Sequence, residues 1–307
     1  MNYHLGIDIG GTKYHFRARP EKGKDLNLIV PSTGNLHELG AEGLVKVLHK
    51  NITSVKARMR RGSKISGLSM GISGLDTPRD TRSLNRVLMK RAWWKNVDPD
   101  ARLLSNDIMI GLRAGTSSVV AMAIISGTGS NGYAIDQDGD EAWVSGRGHL
   151  MSDEGSGYSI AVAGLRAATM SEDGRGPVTR IAEKLFKKMN VQSTQELLPI
   201  VYSPNFSKGS VAELNRIVEE AAAEGDRTAK HIHDEAADQL ILMAKTLHNR
   251  LHFGSSKLDT VLIGGTINKN LELQKRFFRR ARRHSWMNPI PLTDDPVEGA
   301  LRTLGGI

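Results

Sequence analysis

The 307-residue chain contains no cysteine. Disulfides, thiolate nucleophiles, cysteine-held zinc and iron–sulfur clusters are thereby excluded. Aromatic residues are scarce, at 5%. Long hydrophobic runs are also missing. The longest, "SVVAMAIIS" from Ser118 to Ser126, falls far short of the ~20 residues that a membrane-spanning helix needs. No segment is of low complexity, and no extended repeat array runs along the chain. The opening "MNYHLGIDIGG" lacks a basic stretch and places Asp8 inside its apolar run, unlike a secretory signal. A cytoplasmic location without membrane association is the expectation. Acids are outnumbered, 33 against 42 Lys and Arg, for a net charge of +9. That balance favours anionic partners: nucleic acid, an anionic membrane face or phosphorylated small molecules.

What is present is an ordinary globular composition, 39% hydrophobic and 24% charged. A chain of this length suggests two domains of about 100–200 residues. "YHLGIDIGG" and "YHFRARP" read as strands around a glycine turn, with "LNLIVP" a third. Helical spacing follows from Leu36 to Arg61. "ISGLSMGIS" and "ARLLSND" are strand candidates. The pattern then restarts with "SVVAMAIISGTGS" and "NGYAIDQDGDEAWVSG". The chain is mostly helical from Gly155 to Phe253, then closes with "LDTVLIGGTIN" and a short helix after "DDP", with Asp295 as cap and Pro296 at the first helical position. One statement thus appears twice: strand, turn of glycines and hydroxyls, strand. The expected organisation is residues 1–106 and 107–292, with the last helix (293–307) packing back on the first domain and a cleft between the two.

Five short stretches carry chemistry. In "DIGGTK", Gly10 and Gly11 leave backbone N–H groups open to an anion, Thr12 adds a hydroxyl and Lys13 a charge. Asp8 suits magnesium held through water. A plain glycine hairpin explains the same residues. In "SGTGS", Gly127, Thr128, Gly129 and Ser130 repeat this chemistry without matching a Walker A loop or a dinucleotide fingerprint. Asn106-Asp107 ends a strand where a helix begins. Asp107 reads either as an N-cap or as a carboxylate at the carboxyl end of a strand, able to take a proton from a hydroxyl. "GRGHLMSDEGSGYSIA" offers adjacent acids, Asp153 and Glu154, to sugar hydroxyls, or a helix cap at Ser152 or Asp153. In "VLIGGTIN", Gly264 and Gly265 let a flat ring lie on the backbone, or simply turn a strand into a helix.

"GIDIGGTK", "SND", "IISGTGSNGYAI", "GRGHLMSDEGSGYSIA" and "VLIGGTI", in this order, resemble the sugar-kinase branch of the actin/hexokinase/Hsp70 superfamily. More narrowly they resemble the N-acetylglucosamine kinases and their relatives, the archaeal hexokinases and the BadF/BadG-type ATPases. The resemblance covers nearly the whole chain. It implies an α/β fold of two ribonuclease H-like, actin-like ATPase domains flanking a nucleotide and sugar cleft. It also implies ATP with Mg2+, transfer of the γ-phosphoryl group to the 6-hydroxyl of an aminosugar or hexose, N-acetylglucosamine favoured, and a homodimer. Carried over by position, Asp107 is the catalytic base. Asp8, Gly10, Gly11, Thr12, Lys13, Gly127, Thr128, Gly129 and Ser130 hold phosphates and metal, and Gly264 and Gly265 lie against adenosine. Asn35, Asn106, Gly148 and Asp153 contact the sugar. The run Leu150-Met151-Ser152 departs from the strict N-acetylglucosamine kinase pattern, and the basic region from Gly74 to Asp100, with "RAWWKN", offers no recognisable acetyl pocket.

Broad hexokinase or glucosamine kinase activity is the alternative. A different class is an ATP-binding module that contacts nucleic acid through "KARMRRGSK" (56–64) and "KRFFRRARRH" (275–284). Runs of this kind are more often solvated helix faces. The iron–sulfur activator ATPases and the zinc-binding repressor/kinase group both need cysteines that this chain lacks.

Overall fold

The computed structural model describes residues 1–11 and 13–305. The chain forms two compact units: Met1–Ser117 together with the segment from Leu292 onward, and Ser118–Pro291. The first contains β1 (Asn2–Ile9), β2 (Lys13–Pro20), β3 (Leu26–Pro31), α1 (Leu36–Arg58), β4 (Lys64–Ile72), α2 (Pro78–Leu88), α3 (Ala92–Lys95), β5 (Arg102–Asn106) and α4 (Asp107–Gly115). The second contains β6 (Ala121–Ser126), β7 (Ser130–Ile135), β8 (Glu141–Ser145), α5 (Gly157–Glu172), α6 (Arg180–Met189) and α7 (Thr194–Val201). It continues through α8 (Lys208–Glu213), α9 (Asn215–Ala223), α10 (Arg227–Arg250), β9 (Leu258–Ile263), α11 (Gly265–Lys269), α12 (Leu271–Ala281) and β10 (Met287–Pro291). The last helix, α13 (Pro296–Arg302), belongs to the first unit.

Each unit is built on a five-stranded mixed sheet. The first runs β3-β2-β1-β4-β5 and the second β8-β7-β6-β9-β10. In both, the first three strands in sequence pair antiparallel and the last two add parallel to the first. The repeated turn motif is therefore the visible part of a repeated sheet. Among the described residues no helix is long and apolar enough to cross a membrane.

Alternation along β1 sets the layers of the first unit. Leu5, Ile7 and Ile9 enter a core with Leu44, Leu48 and Ile52 of α1, as a period of two requires. Gly6 and Asp8 face the other way. A Cβ on Gly6 would stand 2.9 Å from the Val297 carbonyl oxygen, so α13 lies directly on the strand. β2 holds that helix with charge: Arg17 and Arg19 both reach Glu298 at 2.9 Å. Asp295 occupies the N-cap position of α13, but its side chain caps nothing. It pairs with Lys13 (3.2 Å) and Arg17 (3.5 Å) instead.

The structure draws the boundary between units after α4, not at 106/107. The reason is contact: α4 packs on α13 and on β4, and a Cβ on Gly71 of β4 would overlap the Ile110 side chain. The helix expected to reach Arg61 ends at Arg58, with Met59 turning extended. In the second unit α10 lays Ala237, Leu240, Ala244 and Leu247 against Met122 and Ile124. On α12, three arginines of the run 275–284 are matched by acids. Arg276 pairs with Glu272, Arg279 with Asp234, and Arg280 with Asp234 and Asp238, at 2.5–3.1 Å.

The closest helix contact makes the sharpest test. A Cβ on Gly299 of α13 would overlap the Ile110 carbonyl oxygen of α4. Gly299→Ala is expected to lower stability by roughly 3 kcal/mol, read as the shift of the urea midpoint. An unchanged midpoint would mean that the two helices do not meet at this glycine.

Candidate active site

The carboxyl ends of β1, β4 and β5 lie side by side, since Asp8 pairs with Gly71 and Ile72 with Asn106. Ligand crevices form at such ends in α/β sheets. β5 stops at Asn106, whose backbone is extended (ψ 152°) and whose Oδ1 accepts the Ile108 N–H at 2.9 Å. Asn106, not Asp107, is the cap. Its amide group also donates to Asp76 Oδ1 at 2.8 Å and to the Leu75 carbonyl at 3.4 Å. Asp107 is thus released from capping and opens the first turn of α4, where the helix dipole favours its negative form.

Asp107 is half-buried, and burial, then the neighbouring charge of Asp76, pushes its pKa up to about 6; a hydrogen bond from Ser73 works against this. A carboxyl titrating there can accept a proton near neutral pH. Asp76 is itself held by His37, Nε2 to Oδ2 at 3.0 Å. Ser73, Asp76 and His37 were missed in the sequence. The signal was available: "SGLDTP" follows a strand directly, as "ND" does.

Asp8 is 6% exposed. Burial, then the charge of Asp107, raises its pKa to about 7, with Lys13 opposing. Its carboxylate makes no hydrogen bond to any described residue. An acid so placed is a poor structural element, since a buried charge without a partner is costly, but it fits a divalent cation or the water around one. Lys13 is a fitting neighbour for anions, although here it reaches Asp295.

The two glycine turns leave donors free. In the first, Gly10 N–H closes on the Lys13 carbonyl at 3.1 Å, and Gly11 is exposed with no heavy atom near its missing Cβ. Thr12 lies outside the described residues. In the second, Gly127 N–H reaches the Gly129 carbonyl at 2.9 Å, while the N–H groups of Thr128 and Gly129 bond to no described residue. Among the described residues neither turn uses positive φ, so what Gly10, Gly11, Gly127 and Gly129 supply is access and not unusual backbone. Gly264 differs. It has φ 109°, and a Cβ would sit 2.5 Å from the Ser126 carbonyl oxygen, so β9 turns into α11 hard against the second turn.

The loop before α5 clamps that turn. Ser126 Oγ donates to the Gly155 carbonyl (2.6 Å), Ser130 Oγ to the Glu154 carbonyl (2.7 Å), and Gly157 N–H to the Gly127 carbonyl (2.8 Å). Buried Asp153, at φ 77°, accepts Ser130 N–H on Oδ1 at 3.0 Å and Lys208 Nζ on Oδ2 at 2.6 Å. Ser156 caps α5, not Ser152 or Asp153. Ser152 Oγ accepts Arg147 N–H at 2.7 Å within the loop, and Gly148 is exposed at φ 83°. Asn35 caps α1 in a capping box with Glu38. Lys208 carried no local signal, because only the packing of α8 brings it to Asp153.

Asp8 makes the pH dependence testable. Its folded pKa of about 7 lies above the ordinary 3.8. Its protonated form therefore supports the fold below pH 4, and that support is lost as pH rises through 7. Asp8→Asn is expected to be more stable than the native chain at pH 8 by roughly 2–4 kcal/mol, and equal to it at pH 4. Chemical denaturation in EDTA at the two pH values measures this; equal stability at both would place the Asp8 carboxylate in water.

Comparison with known proteins follows the same lines. A kinase for N-acetylmuramic acid and N-acetylglucosamine from Clostridium acetobutylicum is 29% identical over 269 residues, covering 87% of this chain and 86% of that protein. An N-acetyl-D-glucosamine kinase from Dictyostelium discoideum is 26% identical over 278 residues, 86% of this chain and 85% of that one. In fold, the chain matches a Chromobacterium violaceum protein described as an N-acetylglucosamine kinase, with TM-score 0.73 and 20% identity over 98% of both chains. The family model for the BadF/BadG/BcrA/BcrD ATPases matches residues 5–301. With nearly its whole length so matched, the chain belongs to the BadF/BadG/BcrA/BcrD ATPase family.

Proposed function

We propose that the protein is an ATP-dependent aminosugar kinase that transfers the γ-phosphoryl group to the 6-hydroxyl of N-acetylglucosamine or a close relative. The observation that carries this reading is Asp107. It sits at the end of β5, excused from capping by Asn106, with its pKa pushed up to about 6. The names of the relatives, both kinases of N-acetylated aminosugars, agree with it.

In this reading the first unit brings the base and the metal ligand. Asp107 accepts the proton of the attacking hydroxyl, and Ser73 orients it. Asp76, through its charge, keeps Asp107 basic enough to act near neutrality. Asp8 would hold magnesium, which when bound would supply charge neutralisation on the phosphates. Gly10, Gly11 and Lys13 approach the phosphates from the same unit. Within the second unit the amides of Thr128 and Gly129 are the free donors suited to phosphate, while the Ser130 hydroxyl, expected to join them, is spent on the Glu154 carbonyl. Gly264 and Gly265 offer bare backbone to adenosine. A loose phosphoryl transition state asks mainly for such fixed donors and for positioning.

The sugar is held by groups that keep unused capacity. Asn35 retains its amide N–H2, Gly148 is exposed, and Asp153 retains lone pairs beyond those taken by Ser130 and Lys208. Asn106 acts from behind, by fixing Asp76 and α4.

Asp107→Asn is expected to lower kcat at least 100-fold in a coupled ADP-release assay on a panel of aminosugars and hexoses, with ATP affinity within about twofold. Wild-type turnover would remove Asp107 as the base. Gly129→Val should weaken ATP binding by tenfold or more, since a Cβ would press within 2.9 Å of Asp153 Oδ1 and fill the approach to the turn. Unchanged ATP affinity by calorimetry would take the second turn out of the site.

A further inference from the structure

A cavity of about 700 Å³ opens in the second unit, walled by α5, α7 and α8. Clefts of about 300–1,000 Å³ with apolar walls and few polar groups hold small organic ligands. Its walls are Leu165, Leu197, Val201 and Phe206, with Tyr158 and Tyr202 as aromatic faces. Arg166, Arg175 and Lys208 also line it, and no Asp or Glu does. The cations are not equivalent. Arg175 pairs with Asp173 at 2.7 Å and Lys208 with Asp153 at 2.6 Å, both acids outside the lining. Arg166 has no ion-pair or hydrogen-bond partner among the described residues. Tyr202 is 80% exposed and Leu198 58% at the same cavity, an unusual cost for large apolar groups unless something covers them.

We propose that this cavity is a binding site for a small amphipathic anion: a flat or aliphatic apolar body seated between Leu165, Val201 and Phe206, with a carboxylate or phosphate on Arg166. The charge pattern selects the sign. A cationic ligand would meet three positive groups and no acid, and a neutral one would leave Arg166 unused. The apolar walls exclude a fully hydrated ion such as free phosphate, which gains nothing from them. Lys208 gives the site a connection: it shares its ammonium between the cavity and Asp153, which holds the Ser130 N–H of the second glycine turn. The site stands whether or not the protein is a sugar kinase, because none of its residues is asked to touch the nucleotide or the sugar.

The probe is 8-anilinonaphthalene-1-sulfonate, titrated by fluorescence into the full-length protein in native buffer. Saturable binding at one site is expected, displaced by decanoate or decyl phosphate and not by neutral decyl maltoside. The relative strength of the first two tells which acid the site prefers. Arg166→Glu should raise the dissociation constant roughly tenfold or more, with the circular dichroism spectrum and melting temperature unchanged because Arg166 is exposed. Tyr202→Ala is a second variant with the same expectation. Four results overturn the proposal: no saturable binding, unchanged affinity in both variants, equal displacement by the neutral amphiphile, or dye loss that tracks protein self-association, which would assign the face to a second copy of the chain.

Discussion

A carboxylate taken out of water resists ionisation, and a second carboxylate nearby strengthens that resistance. Asp8 is in this position: buried on the face of β1 opposite Leu5, Ile7 and Ile9, raised by its own dehydration and by Asp107. Everything around it can be read as a response. β5 ends in an asparagine that does the capping, so that Asp107 is free of the helix. Lys13 sits five residues on, close enough to oppose the shift. Among the described residues no hydrogen-bond donor reaches its carboxylate. An acid ionised in such a place costs the fold stability, and any ligand that bound it there would offset that cost.

The repeated sheet makes the asymmetry between the halves plain. Position for position, β6 follows β1 up to the glycine turn, yet where β1 carries Asp8 two residues before Gly10, β6 carries Ile125 two residues before Gly127. Where β5 runs into Asp107, β10 runs into Leu292. The first copy keeps its acids. The second keeps its free amides and clamps them with hydrogen bonds from Ser126, Ser130 and Gly157. One architecture thus carries two different electrostatic tasks, set by a few side chains at equivalent turns.

Much of this was readable in the residues, and the exceptions have physical causes. The glycine turns and the strands around them stand out because few other sequences combine a β-branched run with bare backbone. The cap at Asn106 did not, because Asn and Asp cap equally well and only the extended backbone of Asn106 decides between them. The unit boundary was misplaced for a related reason: α4 looks like the start of something new, and its allegiance is fixed by Gly71 and Gly299, distant in sequence, which let it settle between β4 and α13. Lys208 lies 55 residues from Asp153, and no local pattern announces such a pair. The basic run on α12 suggested an anionic partner, whereas Asp234 and Asp238, a helix away, had already answered it.

The return of α13 has a bearing on how the molecule is made. The face of the first sheet that Val297 and Leu301 cover precedes the second unit along the chain, and its cover follows that unit. The whole second unit is translated in between. For that interval α13 cannot cover Gly6, and at typical synthesis rates of about 5–20 residues per second the wait is on the order of ten seconds or more.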